Sequence, residues 1–171
     1  MIDPKLIGLW DAGAAPVEIS ATGELFTVGT PWPYTLSADG QTLSFPGTNP
    51  LWQFTRLSGN AAALVGLWER FEPDTGGTWR EEWLYRTDGS YTYHWSFDGE
   101  FDSEGIGSYV DDGTTIATKE RRAQVSTGPG DQIVIAQFFG PVEAGTYSVA
   151  ADDTAWVFAG PNGDVDFTRL P

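Results

Sequence analysis

Three short segments occur twice in this chain, in the same order. LIGLW (6–10) returns as LVGLW (64–68), YTLSADGQTLSF (34–45) as YSVAADDTAWVF (147–158), and WQFTRL (52–57) as VDFTRL (165–170). Internal self-similarity of this kind marks a repeated structural unit. The first copy spans about residues 5–57 and the second about 63–170, with the excess length of the second in its middle.

The turns inside the repeat constrain the fold further, because loop length decides which side chains share a face of a hairpin. A three-residue loop at Ala21-Thr22-Gly23 sets Ile19 beside Leu25, and the matching loop at Thr87-Asp88-Gly89 sets Tyr85 beside Tyr91. A two-residue loop at Asp39-Gly40 sets Leu36 beside Leu43 and Tyr34 beside Phe45. Asp152-Asp153 likewise sets Val149 beside Trp156 and Tyr147 beside Phe158. Both copies require the same parity at both hairpins. Apolar residues alternate along most of the chain, and 21 glycines and 11 prolines punctuate it at turn-like intervals.

The expected fold is all-β: an antiparallel meander barrel of about eight or nine strands, preceded by a shorter partial repeat of about five. Strands are expected at 66–72, 79–86, 90–98, 103–110, 114–125, 131–139, 146–151, 154–159 and 164–170. Helical turns are expected near residues 3–6 and 59–63. The expected domains are 1–58, a partial repeat packed on the main barrel, and 63–171, the main barrel.

Gly-x-Trp on a first strand, meander hairpins and an arginine on the last strand resemble the lipocalin-like, or calycin, barrels. The residues carrying the resemblance are Gly66-Leu67-Trp68 with Arg169, and Gly8-Leu9-Trp10 with Arg56. The resemblance implies a ligand cavity. It also implies that Trp68–Arg169 and Trp10–Arg56 are structural plugs, with the guanidinium stacked on the indole. The family's Thr-Asp-Tyr signature is absent.

One hairpin carries the functional signal. Alternation puts Trp79, Glu81, Trp83 and Tyr85 on one face, opposite Phe97, Trp95, Tyr93 and Tyr91. Every position there but Glu81 is aromatic. The other face reads Arg80, Glu82, Leu84 and Arg86 against Ser96, His94, Thr92 and Ser90, a solvent face. The aromatic face therefore points inward, as a packed core or as the wall of a cavity. Buried tyrosine and tryptophan need partners for their polar tips, which a partly wet cavity meets more readily. A carboxylate among rings is costly unless paired or neutral, which singles out Glu81. Its ordinary explanations are an arginine partner, for which Arg122 is one candidate, or a position on the rim.

Other inward candidates follow by alternation. Gly105, Gly107 and Tyr109 share a face, where the glycines open space or permit a bend. Neither face of 114–125 is cleanly apolar, so this strand reads as an edge or the lining of a polar mouth. Both faces of 131–139 are apolar, so it reads as covered on both sides, with Gln137 as a ligand contact.

His94, the only histidine, pairs with Glu82 across the solvent face. The strings DGEFDSEG (98–105) and VDDG (110–113) read as solvated turns and match no calcium loop. No metal site and no cofactor are expected.

Lys and Arg number 9 against 24 Asp and Glu, a formal charge of −15. That balance opposes binding to nucleic acid and to anionic membranes. There are no cysteines, no basic leader followed by an apolar run, and no long apolar stretch. The expectation is a soluble, cytoplasmic protein.

Three functions fit. The first is a barrel binding a small apolar or aromatic molecule against Trp79, Trp83, Tyr85, Tyr91, Trp95 and Phe97, with Tyr109, Gln137 and Arg122 as further contacts. The second is a cofactor-free isomerase, cyclase or decarboxylase, with Glu81 as general acid–base and Tyr93 or Tyr91 orienting the substrate. The third is a protein–protein interaction module.

Overall fold

A computed structural model describes residues 1–171. A short 3-10 turn, Pro4–Leu6, precedes sixteen strands. They are β1 Gly8–Asp11, β2 Pro16–Ile19, β3 Glu24–Val28, β4 Trp32–Pro33, β5 Thr35–Leu36, β6 Thr42–Phe45, β7 Trp52–Gly59 and β8 Gly66–Asp74. Then follow β9 Gly77–Tyr85, β10 Ser90–Phe97, β11 Glu100–Asp111, β12 Thr115–Thr127, β13 Gln132–Gln137, β14 Val142–Val149, β15 Ala155–Gly160 and β16 Gly163–Arg169. No helix is long and apolar enough to cross a membrane.

The hairpin registers are those the turns require. Ile19 faces Leu25, Tyr85 faces Tyr91, Leu36 faces Leu43 and Val149 faces Trp156. Gly23 and Gly89 take positive φ at the loop positions assigned to them. The Asp39-Gly40 and Asp152-Asp153 turns are wider than two residues. Their last ladder bonds run from Ser37 N to Thr42 O and from Ala150 N to Ala155 O, which leaves the register unchanged. Residues 59–63 form no helix: Ala63 N bonds to Asn60 O in a single turn.

The chain divides into two compact units, Met1–Gly29 with Glu120–Pro171, and Thr30–Lys119. The first is a closed antiparallel barrel of 8 strands, with ring order β1-β2-β3-β12-β13-β14-β15-β16 and back to β1. Closure leaves no strand edge unpaired. Its core holds Leu6, Trp10, Ile19, Val125, Ile133, Trp156 and Phe167, and Trp156 stacks on Phe167 at 3.9 Å. The second unit contains β4–β11 and the first residues of β12, in the order β12-β11-β10-β9-β8-β7-β6-β5. β4 lies just before β5 and pairs with β12 through Thr115↔Pro33 and Ile116↔Trp32. The interrupted strand 32–36 therefore reaches both ends of the path. Its core holds Tyr34, Leu43, Phe54, Leu64, Trp68, Tyr85 and Tyr91.

These units differ from the domains expected at 1–58 and 63–171. The tract 58–63 lies inside the second unit, and the first draws its strands from both ends of the chain. The tryptophan–arginine partners change accordingly. Arg169 stacks over Trp10 at 4.2 Å and Arg56 over Trp68 at 4.0 Å, not the reverse. The reason is strand pairing: β1 lies against β16 with Trp10 opposite Arg169, and β8 lies against β7 with Arg56 opposite Trp68.

Each arginine staples its unit in the same way. Arg56 donates to the carbonyls of Gly40, Val65 and Ala63, and Arg169 to those of Asp153, Ile7 and Lys5. Trp68 Nε1 donates to Leu64 O and Trp10 Nε1 to Leu6 O, both at 2.8 Å. This geometry accounts for the glycine two residues before each tryptophan. Gly8 and Gly66 have φ of +139° and +149°, and a Cβ at either would lie 2.7 Å from the arginine Nη1.

The mixed faces of β12 also find their cause. Ile116 belongs to the core of the second unit, whereas Ala123 and Val125 belong to the core of the first. The inward parity changes from even to odd along one strand. β13 is covered on one face only, contrary to expectation: Ile133 and Ile135 are buried, while Val134 and Phe138 are exposed.

Two phenols are tied to carboxylates. Tyr34 donates to Asp111 and Tyr147 to Asp3, each at 2.8 Å. Burial first, and then the acceptor carboxylate, raise both above the ordinary value of 10.0, Tyr147 to about 12 and Tyr34 further. Folded tyrosines that hold their protons more tightly than unfolded ones contribute stability below the unfolded pKa, and that contribution is lost as pH rises through the folded one. The urea midpoint should fall between about pH 10 and pH 12, and Tyr147→Phe should make that fall shallower. A midpoint flat across this window would contradict the assignment.

Candidate functional site

The inner face of β8, β9 and β10 forms a grid fixed by strand register. Its rows are Gly66–Tyr85–Tyr91, Trp68–Trp83–Tyr93, Arg70–Glu81–Trp95 and Glu72–Trp79–Phe97. The same face therefore passes from ring-on-ring packing at one end to charged and polar groups at the other. The first two rows are core. Tyr85 and Tyr91 are 3% and 1% exposed, and Trp83 stacks on both and contacts Tyr93 at 5.1 Å. Gly107 and Gly105 stand opposite Tyr91 and Tyr93 on β11, where any Cβ would overlap those rings. The glycines admit the tyrosines and leave no open space. Tyr109 meets Tyr85 edge-on and donates to Arg86 O at 2.7 Å.

The last two rows border a partly open cleft of about 280 Å³ lined by Arg70, Glu72, Pro73, Asp74, Trp79, Arg80, Glu81 and Trp95. Glu81 is 4% exposed. Its Oε2 accepts from Arg70 Nε at 2.9 Å and Nη2 at 2.7 Å, and its Oε1 accepts from Trp83 Nε1 at 2.6 Å. Arg70 Nη1 donates to Glu72 at 2.6 Å. The Arg70 guanidinium also lies over Trp52 at 4.9 Å and Phe54 at 5.6 Å. A buried carboxylate is tolerated when paired and hydrogen-bonded on both oxygens, as here.

Two tryptophans form the apolar wall. Trp79 packs on Trp95 at 6.2 Å and on Phe97 at 4.9 Å. Trp79 Nε1 donates to Asp74 at 3.2 Å. The indole N–H of Trp95 is buried and has no acceptor. Buried donors without partners are uncommon in folded proteins. On the outer face Arg80 bonds Glu69 and Glu82, and His94 Nδ1 lies 3.5 Å from Glu82, as the register anticipates.

The structure thus brings together Trp79, Glu81 and Trp95 of the expected site residues, with Phe97 behind them. Trp83, Tyr85, Tyr91 and Tyr93 belong to the adjoining core. The partner of Glu81 is Arg70, not Arg122. Arg122 and Gln137 lie in the other unit: Arg122 bonds Glu120 and Thr27, and Gln137 donates to Glu143. Arg70 and Glu72 were missed as site residues. Their signal was parity with Trp68, since residues 68, 70 and 72 share a strand face. No group of 3 or more His, Asp or Glu side chains converges as a metal site. No protein-family model, curated protein or solved structure matches this chain.

Proposed function

We propose that this protein binds a small molecule in the Arg70–Trp79–Glu81–Trp95 cleft. The observation carrying this reading is the contrast along one sheet face. Two rows are close-packed core, while the next two surround about 280 Å³ of space with indole walls and a pre-ordered Arg70–Glu81 pair. Small-molecule sites combine an apolar wall with a few fixed polar groups in this manner. A general acid–base role for Glu81 draws less support, because both its oxygens are engaged by Arg70 and Trp83.

The same reading takes both units as copies of one calycin-like barrel. The matching Gly-x-Trp and arginine staples support it. Strands β5–β7 correspond to β14–β16, and β8–β10 to β1–β3. The second unit is then a circularly permuted barrel inserted after β3. In a ring of strands any strand can come first, so permutation changes loops and leaves the packing intact.

Native mass spectrometry of freshly purified protein is the direct test. A bound small molecule is expected in the wild type and lost in Trp79→Ala. Should no adduct be seen, and no compound of a chemically mixed panel shift tryptophan emission saturably, the binding reading fails.

A further inference from the structure

We infer that the ligand is a neutral polyhydroxylated ring, a monosaccharide unit; this rests on the cleft being a small-molecule site. Charge argues first. Arg70 is neutralised by Glu81 and Glu72, and Arg80 by Glu69 and Glu82. Asp74 and the chain's net charge of −15 then repel an anion. A cation would find Glu72 already engaged by Arg70, and Asp74 by Trp79 and the Thr75 amide, beside Arg70 N–H groups that can only donate.

Hydrogen-bond arithmetic argues second. Nε, Nη1 and Nη2 of Arg70 each donate once within the protein, so one hydrogen on each terminal nitrogen is uncommitted. Glu72 and Asp74, both at the cleft, add acceptors. A hydroxyl donates and accepts at once, and neighbouring hydroxyls can span an arginine N–H and a carboxylate oxygen. A purely apolar ligand would strip water from these groups and return nothing. This departs from the apolar or aromatic ligand expected from sequence.

Ring faces argue third. The C–H groups on one side of a sugar ring carry partial positive charge and lie favourably on the negative face of an indole. Trp79 and Trp95 both line the cleft, with their ring planes inclined at 63°. The cleft volume suits one ring rather than an extended chain.

The test is titration of the full chain, followed by tryptophan emission and by calorimetry. The probes are methyl glycosides of glucose, galactose and mannose, with cyclohexanol and indole as ring-sized controls. At least one glycoside should saturate a site that Trp79→Ala abolishes. Trp95→Ala, which removes one of the two indoles lining the cleft, should weaken that glycoside about five- to tenfold. Glu72→Gln, at a half-exposed position, should also weaken it and serves if Trp79→Ala unfolds. If indole or cyclohexanol saturates a Trp79-dependent site and no glycoside does, the sugar inference is overturned while the binding reading stands. If no probe saturates, both fall. Glycoside binding indifferent to all three substitutions overturns the inference as well.

Discussion

Replacing Arg56 by alanine should destabilise the protein by about 3–5 kcal/mol. The side chain is 7% exposed and donates to three carbonyls from two separate segments, Gly40 on one side and Ala63 and Val65 on the other. Alanine would leave those acceptors without their donor and uncover the face of Trp68, itself fully buried. Hydrogen bonds to a charged donor contribute about 1.5–3 kcal/mol each, and a cation–π contact about 0.5–2; relaxation and water reduce the sum. Arg56→Lys keeps the charge but not the planar fork, so it should recover less than half of the loss. Arg169→Ala should cost less than Arg56→Ala, because its contact with Lys5 O is exposed. Urea denaturation followed by tryptophan emission orders the three variants. A loss under about 1 kcal/mol for Arg56→Ala would show that the staple is incidental.

The second large effect lies at the cleft. Glu81→Leu strands the Arg70 guanidinium, 11% exposed, with Glu72 as its remaining carboxylate. Breaking one side of a buried ion pair costs about 3–5 kcal/mol, whereas replacing both members by apolar residues is often neutral. Glu81→Leu and Arg70→Leu should therefore each be strongly destabilising, and the double variant should be more stable than either. A double-mutant cycle measures this. Additive losses would mean that the pair is not coupled. The double variant also separates stability from function: it should fold well and lose the ligand, because Arg70 supplies donors as well as charge.

Strand registers were legible in sequence because they are set locally. The loops at Thr87-Asp88-Gly89 and Ala21-Thr22-Gly23 dictate which residues oppose each other, and nothing distant can alter that parity. The inward aromatic face of 79–97 followed directly. What stayed hidden was which strand closes against which. LIGLW and LVGLW are nearly the same segment, and so are the two FTRL endings, so local pattern cannot say that Trp10 takes Arg169 and Trp68 takes Arg56. The ambiguous faces of β12 were a true reading of a strand serving two cores, with Ile116 and Val125 at opposite parity. On the site, Glu81 stood out because it was the one charge in an aromatic row. Arg70 did not, since the tract after Trp68, Glu69-Arg70-Phe71-Glu72, carries charge at both parities and marks no inward face.

The order in which neighbours are made has a consequence for synthesis. β1–β3 leave the ribosome well before their outer partners β12 and β16. Residues 30–119 can find one another while those early strands still wait. Until β12 and β16 are made, the nascent chain therefore carries two bare edges, one on β1 and one on β3. A chaperone that shields unpaired strands has its longest opportunity there.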